Sequence, residues 1–79
     1  MTTQEIKEKL IVEGFYCESK LDYNQVNRNE ISIFGSAEIR EIGRSMHIVN
    51  VIGDTEDEAV SNAYEKYLKI KDENEDNRD

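Results

Sequence analysis

The sequence predicts an α+β fold in which two helices pack on one face of a three-stranded antiparallel sheet, in the order α-β-β-β-α. Apolar residues recur at helical spacing near both ends of the chain and alternate with polar residues in the middle. Glycines and short polar segments separate these stretches. A chain of 79 residues supplies one hydrophobic core. We therefore expect a single domain over residues 1–71, followed by an acidic disordered tail over residues 72–79.

The first helix is predicted by a start signal and a narrow apolar stripe. Thr2 and Glu5 have the spacing of a capping box, in which the threonine hydroxyl accepts a hydrogen bond from an amide of the first turn. Ile6 and Leu10, with Ile11 as a further candidate, share one face of a helix from about Thr3 to Glu13. A helix this short is marginal by itself, so packing against the sheet must stabilise it.

The second helix has the clearest helical pattern in the chain. It is expected to run from Thr55 to about Lys71, and Glu58 completes a second capping box with the threonine. Acidic residues in the first turn suit the positive end of the helix dipole. The predicted apolar face consists of Ala59, Val60, Ala63, Tyr64, Tyr67 and Leu68.

Two extended segments precede the third strand. Phe15 to Tyr23 alternates with period two and predicts a strand with one face made of Phe15, Cys17, Ser19, Leu21 and Tyr23. Asn24 to Asn29 is expected to be a polar loop. Glu30 to Ile42 predicts a second strand, long for its type, with one face made of Ile31, Ile33, Gly35, Ala37 and Ile39. Gly35 in its middle indicates a bulge or a strong bend. An alternative is a turn at residues 34–37, which would give four strands.

The third strand is predicted from Met46 to Ile52, after a hairpin turn at residues 43–45. Apolar side chains occur on both of its faces, so one face is either covered or offered to a partner. One face carries Met46, Ile48 and Ile52, and the other, which we interpret as the outer face, carries His47, Val49 and Val51.

The overall composition excludes several classes of protein. Acidic residues outnumber basic ones by 18 to 10, which gives a net charge of −8 and a pI near 4.6. Such a chain repels phosphate and is unsuited to polybasic nucleic-acid binding. No apolar stretch approaches the roughly 20 residues of a membrane span. A single cysteine excludes an intramolecular disulfide, and we expect a cytoplasmic protein of a low-GC bacterium, a phage or a mobile element.

The start of the second helix combines a capping threonine with spaced alanines, in Thr55–Ala59 and Ala63, followed by Leu68. Together with the order of elements, this resembles the last helix of the double-stranded-RNA-binding domain family. The resemblance implies an α-β-β-β-α fold. That family contacts phosphates through a lysine cluster at the head of this helix, whereas residues 56–58 are acidic here. The resemblance therefore implies the family's fold without its ligand.

Asp54, Glu56, Asp57 and Glu58 form the densest acidic cluster of the predicted domain. One interpretation is structural, because carboxylates cap helices and complement the helix dipole. The other interpretation is functional, with the cluster docking on the basic groove of another protein. A metal site is not expected, since adjacent acids on a first helical turn point in different directions.

Tyr16 and Phe34 are the remaining candidate partner-binding residues. Both fall on the opposite face from the apolar set of their strand, where an exposed aromatic can anchor a protein interface. Arg40 and Arg44 form the most compact basic pair near the sheet, although acidic neighbours accompany them.

No catalytic, cofactor-binding or metal-binding residue is predicted. His47 is the single histidine and has no motif around it. Cys17 alternates with apolar residues on the inward face of its strand, which is typical of a small buried side chain rather than a reactive thiol. We therefore do not expect an enzyme.

These observations favour a small acidic protein-protein interaction module. Its most concrete form is a phage or mobile-element inhibitor that binds the basic surface of a nucleic-acid-handling protein. An alternative is a homodimeric scaffold or accessory protein with a degenerate RNA-binding-domain-like fold. Two copies would meet through the outer face with His47, Val49 and Val51, or through an unpaired edge strand. Direct nucleic-acid binding through Arg40 and Arg44 is a third hypothesis.

Overall fold

A computed structural model describes the backbone of residues 1–76 and the side chains of residues 1–73. The three strands form one antiparallel sheet in the order β1-β2-β3. This confirms the predicted α+β fold and its α-β-β-β-α order. The elements are α1 (Thr3–Val12), β1 (Phe15–Asn27), β2 (Glu30–Glu41), β3 (His47–Gly53) and α2 (Glu56–Asp76).

Both helices begin at the predicted capping threonines. The Thr2 hydroxyl accepts a hydrogen bond from the Glu5 amide at 3.1 Å, and the Thr55 hydroxyl accepts one from the Glu58 amide at 3.1 Å. Each bond satisfies an amide that has no carbonyl partner within its own helix. Gly14 follows α1 with a φ of 95°, a left-handed conformation that glycine adopts without strain.

The second helix is longer than its apolar pattern predicts. α2 continues to Asp76, so residues 72–76 of the expected disordered tail are helical. Asp and Asn have low helix propensity and acidic residues oppose the negative end of the helix dipole, so local propensity does not explain this extension. Residues 77–79 of the expected tail lie outside the described part of the chain. Leu68, predicted on the apolar face of α2, is 39% exposed.

The hairpin of β1 and β2 is also longer than expected. The segment Asn24–Asn29, predicted as a loop, is mostly strand, because β1 continues to Asn27 and β2 begins at Glu30. The Asn27 side chain accepts a hydrogen bond from the Asn29 amide at 2.9 Å and closes the turn. Cross-strand pairing therefore overrides the turn preference of the other asparagines.

The hydrophobic core lies between the two helices and one face of the sheet, as predicted. Cys17, Ile39 and Val49 lie side by side across the three strands, and all three are buried beneath the helices. Ile39 and Val49 are 0% and 1% exposed. The other core residues are Ile6, Leu10, Ala37, Ala59, Val60, Ala63, Tyr64 and Tyr67.

The predicted orientation of β3 is wrong. Val49 and Val51 belong to the core face, because they pair with Ile39 and Ala37 of β2. Ile48 and Ile52 face outward and are 40% and 65% exposed. Apolar residues on both faces of β3 leave its orientation open in the sequence, and only the register with β2 decides it.

Two facing glycines let the start of α2 lie directly on the sheet. Gly35 of β2 pairs with Gly53 of β3, and a Cβ at Gly35 would lie 2.3 Å from the carbonyl carbon of Thr55. The sequence predicts a bulge, a bend or a turn at Gly35, yet β2 keeps continuous register with β1 on both sides of it. The missing side chain instead makes room for the backbone of α2. The four-stranded alternative is therefore wrong.

β1 and β2 continue well past the end of β3. β3 pairs with β2 only from Gly35 to Arg40, and the chain then turns onto the helix side of the sheet. The rest of the hairpin, residues 21–34, is a two-stranded extension that we call the arm. Its seven-residue outer strand spans roughly 23 Å, and the whole chain measures 54 × 24 × 24 Å.

Candidate protein-interaction surface

The arm carries an uncovered apolar surface on the face that is continuous with the core. Four side chains form it, and we call them the arm face: Leu21, Tyr23, Ile31 and Ile33. Their exposed fractions lie between 63% and 67%. Tyr23 and Ile33 are direct cross-strand neighbours, and the four side chains line one shallow depression. Exposed apolar side chains that cluster in this way mark interaction sites more often than scattered ones do.

The arm face is exposed because no helix extends over it. α2 begins above Gly35, and from there it runs back across the base of the sheet to the core residues of β2 and β3. The strands continue in the other direction with the same alternation. Removing exposed apolar area of this kind from water is favourable. The arm face is therefore an apolar surface that the fold itself leaves in water.

The first turn of α2 places the predicted acidic residues beside the arm. We call Asp54, Glu56, Asp57 and Glu58 the acidic turn. The backbone at Thr55 contacts β2 at Gly35, and Ile33 is two residues further along the same face of that strand. The acidic turn therefore starts at the border of the arm face, although Asp57 and Glu58 also line a separate depression with residues of α1.

Two members of the acidic turn also have structural roles. Asp57 Oδ1 accepts a hydrogen bond from the Thr3 hydroxyl at 2.6 Å, which joins the starts of the two helices. Glu56 Oε2 accepts one from the Ser19 hydroxyl at 3.3 Å, and that hydroxyl accepts from Lys7 Nζ at 3.1 Å. The structural interpretation of the cluster therefore accounts for these two carboxylates.

The other two members of the acidic turn are better placed to meet a partner. The side chains of Asp54 and Glu58 are exposed. Within the described residues neither carboxylate accepts a hydrogen bond or joins an ion pair. Their charge is therefore free to act on an approaching cation.

The structure does not bring all six predicted partner-binding residues together. Tyr16 and Phe34 are half-buried on the sheet face that no described helix covers, opposite the acidic turn. Tyr16 pairs with Arg40 at the base of the sheet, whereas Phe34 pairs with Asp22 in the arm. Along β2 these two positions are roughly 20 Å apart. Phe34 therefore belongs to the back of the arm, and Tyr16 belongs to a separate region.

The predicted basic pair is neutralised by its neighbours. Arg40 forms an ion pair with Glu38 at 2.6 Å and donates to the Ser45 carbonyl at 2.6 Å. The hydrogen bond from Arg40 lowers the pKa of the Glu38 carboxyl below its usual value. Arg44 forms a second ion pair with Glu41 at 3.1 Å. The two arginines therefore lie beside carboxylates and do not form a free basic patch.

Cys17 and His47 do not form a reactive site. Cys17 is buried in the core, and desolvation raises the pKa of its thiol, which keeps the thiol protonated. His47 is exposed at an irregularity of the β2–β3 pairing, opposite Arg40. Over the described part of the chain, no three potential ligands among His, Cys, Asp and Glu gather into a metal site.

The arm face is the candidate interaction surface that sequence analysis missed. Alternation places Leu21, Tyr23, Ile31 and Ile33 on the inward face, and the structure confirms that face. Their exposure depends on where the helices lie, which alternation does not encode. One available signal was length, because the predicted first helix from Thr3 to Glu13 is roughly 16 Å long and cannot cover the long second strand predicted from Glu30 to Ile42.

Comparison of the chain with protein-family models, curated proteins and solved structures gives no match. Neither helix, over its described residues, has the length and apolar character needed to cross a bilayer. Any functional conclusion therefore depends on the surface itself.

Proposed function

We propose that this protein is a small acidic interaction module that binds a partner protein through the arm face and the acidic turn. The partner presents an apolar patch with lysine or arginine beside it. The observation that carries the proposal is the continuity of the uncovered arm face with the carboxylates at the start of α2.

The arm face provides the short-range part of this binding. Tyr23, at its centre, is 67% exposed and is of the residue type that most often dominates interface energetics. Ile33 lies directly across the hairpin from it. A pocket on the partner that takes these two side chains would exclude water from the strongest contacts.

The acidic charge provides the long-range part. A net charge of −8 attracts a cationic surface, raises the association rate and makes the affinity fall with salt. Proteins that hold phosphates present such surfaces. The concrete form of the proposal is a cytoplasmic phage or mobile-element inhibitor that occupies the basic surface of a nucleic-acid-handling protein.

Self-association is the second candidate, and one observation favours it. The arm is nearly neutral, with Asp22 and Glu30 against Arg28, so two arms can meet without strong repulsion. The surface predicted for a homodimer, with Val49 and Val51, is wrong because Val49 is buried. A mass that rises with concentration would favour the homodimer over the proposed module.

The test is affinity capture by the tagged full chain from a lysate of the organism that encodes it. We expect one basic nucleic-acid-handling protein, released by moderate salt. Replacing Tyr23 and Ile33 by serine is expected to lower its recovery roughly tenfold. Serine at Ile48 and Ile52, which are also exposed but lie on the opposite face, is the matched control and leaves recovery unchanged.

A second pair of variants tests the charge. Asp54→Asn with Glu58→Gln removes two charges next to the arm, and we expect the association rate with the captured protein to fall about threefold. Glu8→Gln with Glu65→Gln removes the same charge from exposed positions elsewhere and has little effect. Equal recovery and equal rates for all four double variants would contradict the proposal.

A further inference from the structure

One edge of β2 has no neighbouring strand along the arm. β3 pairs with β2 only from Gly35 to Arg40, whereas β2 itself begins at Glu30. On the β3 side of residues 30–34, no strand of the described chain is present. The sheet therefore has a gap in line with β3, bounded at one end by Gly53 and the acidic turn.

The alternation of backbone hydrogen bonds shows which groups face this gap. The Ile42 amide donates to the Gly14 carbonyl at 2.9 Å, just before the paired register of β1 and β2 begins. Hydrogen-bonded and non-bonded pairs alternate along an antiparallel hairpin. Counted from that bond, Ile31 and Ile33 occupy non-bonded pairs. Their backbone N–H and C=O groups therefore point away from β1 and into the gap.

The corresponding edge of β1 is blocked. The Tyr23 amide, across the hairpin from Ile33, donates to the Asp22 carboxylate at 2.8 Å instead of to β2. This bond agrees with the alternation above, and it places a charged side chain on the outer edge of β1. Charged side chains are a common means of preventing strand addition at an edge. Glu30 lies at the turn end of β2, and no described side chain hydrogen-bonds to the backbone of residues 31–34.

We propose that the gap beside Ile31 and Ile33 accepts an extended segment of the partner as a fourth strand in line with β3. This inference rests on the proposed function and specifies how the partner binds. Main-chain hydrogen bonds to β2 hold the segment, and its alternate side chains extend the arm face. An antiparallel segment runs in the direction of β3, so its N-terminal end lies beside Gly53 and the acidic turn.

The charge at that end specifies the sequence of the segment. Asp54 follows Gly53 in the chain, and the backbone of Glu58 lies against Gly53. Both side chains are exposed, so their charge attracts a cation to this end of the gap. The preferred segment therefore carries lysine or arginine first, followed by apolar residues at every second position. Reversing this order would place the basic residues at the tip of the arm, far from the acidic turn.

The experiment is selection of a displayed library of random decapeptides on the immobilised full chain. We expect the enriched peptides to carry basic residues in their N-terminal half and alternating apolar residues after them. Hydrogen exchange is then measured with and without one enriched peptide. The amides of Ile31 and Ile33 are expected to exchange at least tenfold more slowly in the complex, while the Ser32 amide, which faces β1, changes little.

Backbone variants separate strand addition from simple apolar contact. Ile33→Pro removes an amide that faces the gap and is expected to weaken peptide binding at least tenfold, whereas Ile33→Ala keeps the amide and has a much smaller effect. Gln25→Pro removes an amide that by the same alternation faces the outer edge of β1, outside the arm face, and serves as the control for damage to the hairpin. A further test leaves the protein unchanged and N-methylates either the odd-numbered or the even-numbered amides of the peptide. We expect only one of these two peptides to lose binding, because only every second amide of an added strand faces β2.

Three outcomes would overturn the inference. Selection yields no enriched peptide, or the enriched peptides protect amides elsewhere in the chain. Alternatively, the chain alone has the mass of a dimer and already protects Ile31 and Ile33, in which case a second copy fills the gap. Capture of the partner can still depend on Tyr23 and Ile33 while hydrogen exchange at the Ile31 and Ile33 amides is not slowed in the complex. In that case strand addition is wrong and the proposed function stands. Loss of that dependence removes the proposed function itself.

Discussion

The two halves of β2 have the same alternation of apolar and polar residues, but the apolar side chains are buried in one half and exposed in the other. Ile39 and Ile33 lie on the same face of the same strand, yet Ile39 is 0% exposed and Ile33 is 65% exposed. The two residues differ in exposure because the helices pack over the base of the sheet and do not extend over the arm. Identical side chains therefore stabilise the fold at one end of the strand and are available for binding at the other.

Gly35 marks the boundary between these regions. Its missing side chain admits the backbone of Thr55, so α2 starts on top of the sheet at this point. The chain leaves β3 at Gly53, directly beside it. One contact thus ends the third strand, begins the covering helix and leaves the arm uncovered.

The largest expected effect comes from truncating the same residue type in the two regions. Ile39→Ala removes buried methyl groups and leaves a cavity, so we expect the free energy of unfolding to fall by about 2 to 5 kcal/mol. Ile33→Ala removes exposed atoms and is expected to change it by less than about 0.5 kcal/mol. Chemical denaturation of both variants gives the comparison. Equal losses would show that the arm face is covered in solution, by a second copy or by rearrangement.

The next effect tests the boundary. A Cβ at Gly35 would lie 2.3 Å from backbone atoms of Thr55, and a backbone cannot move aside as a flexible side chain can. Gly35→Ala is therefore expected to lower the free energy of unfolding by about 3 kcal/mol. Ser36→Ala, one residue away on the opposite face, serves as the control and is expected to have little effect. A fully stable Gly35→Ala protein would contradict the close packing of α2 on the sheet.

The smallest effect concerns a polar link that only the covered region has. Glu13, at the end of α1, accepts hydrogen bonds from Lys71 at 2.5 Å and from Tyr67 at 3.2 Å, both on α2. The bond from Lys71 lowers the pKa of the Glu13 carboxyl below its usual value of 4.5. This link therefore stabilises the fold above about pH 4.5 and is lost as the pH falls through the lowered pKa.

Removing the link should change how stability depends on pH. We expect Glu13→Gln to cost about 1 kcal/mol or less at pH 7, as is usual for partly exposed pairs, and to make the loss of stability in acid shallower. Thermal unfolding between pH 7 and pH 3 measures both effects. Glu65→Gln, an exposed position on α2, is the control and should keep the acid dependence of the wild type. An unchanged acid dependence in Glu13→Gln would exclude a stabilising role for this carboxylate.

Much of the fold could be predicted because its signals are local. Thr2 and Thr55 cap the helices as their spacing indicates, and the inward face of β1 and β2 follows from alternation. The orientation of β3 could not be predicted in this way. Its two faces are about equally apolar, so the orientation of β3 is set by the pairing of Val49 with Ile39, which belongs to another strand.

The candidate site was predictable only in part. The acidic turn stands out in the sequence by its density of charge, although two of its carboxylates turn out to hold Thr3 and Ser19. The arm face could not be recognised in the sequence, because its residues show the same alternation as the core residues of β1 and β2. The asparagines near the tip also favour a loop in isolation, and β2 overrides that preference by pairing with them.

The sequence by itself determined the helices, the strands, the inward faces of β1 and β2 and the acidic balance, because each depends on neighbouring residues or on simple sums of charge. Tertiary structure alone decided which inward side chains are buried, how β3 is oriented and which edge of β2 stays open. Those properties depend on where α2 crosses the sheet, and that position is set by the contact of its backbone with Gly35, between segments 20 residues apart.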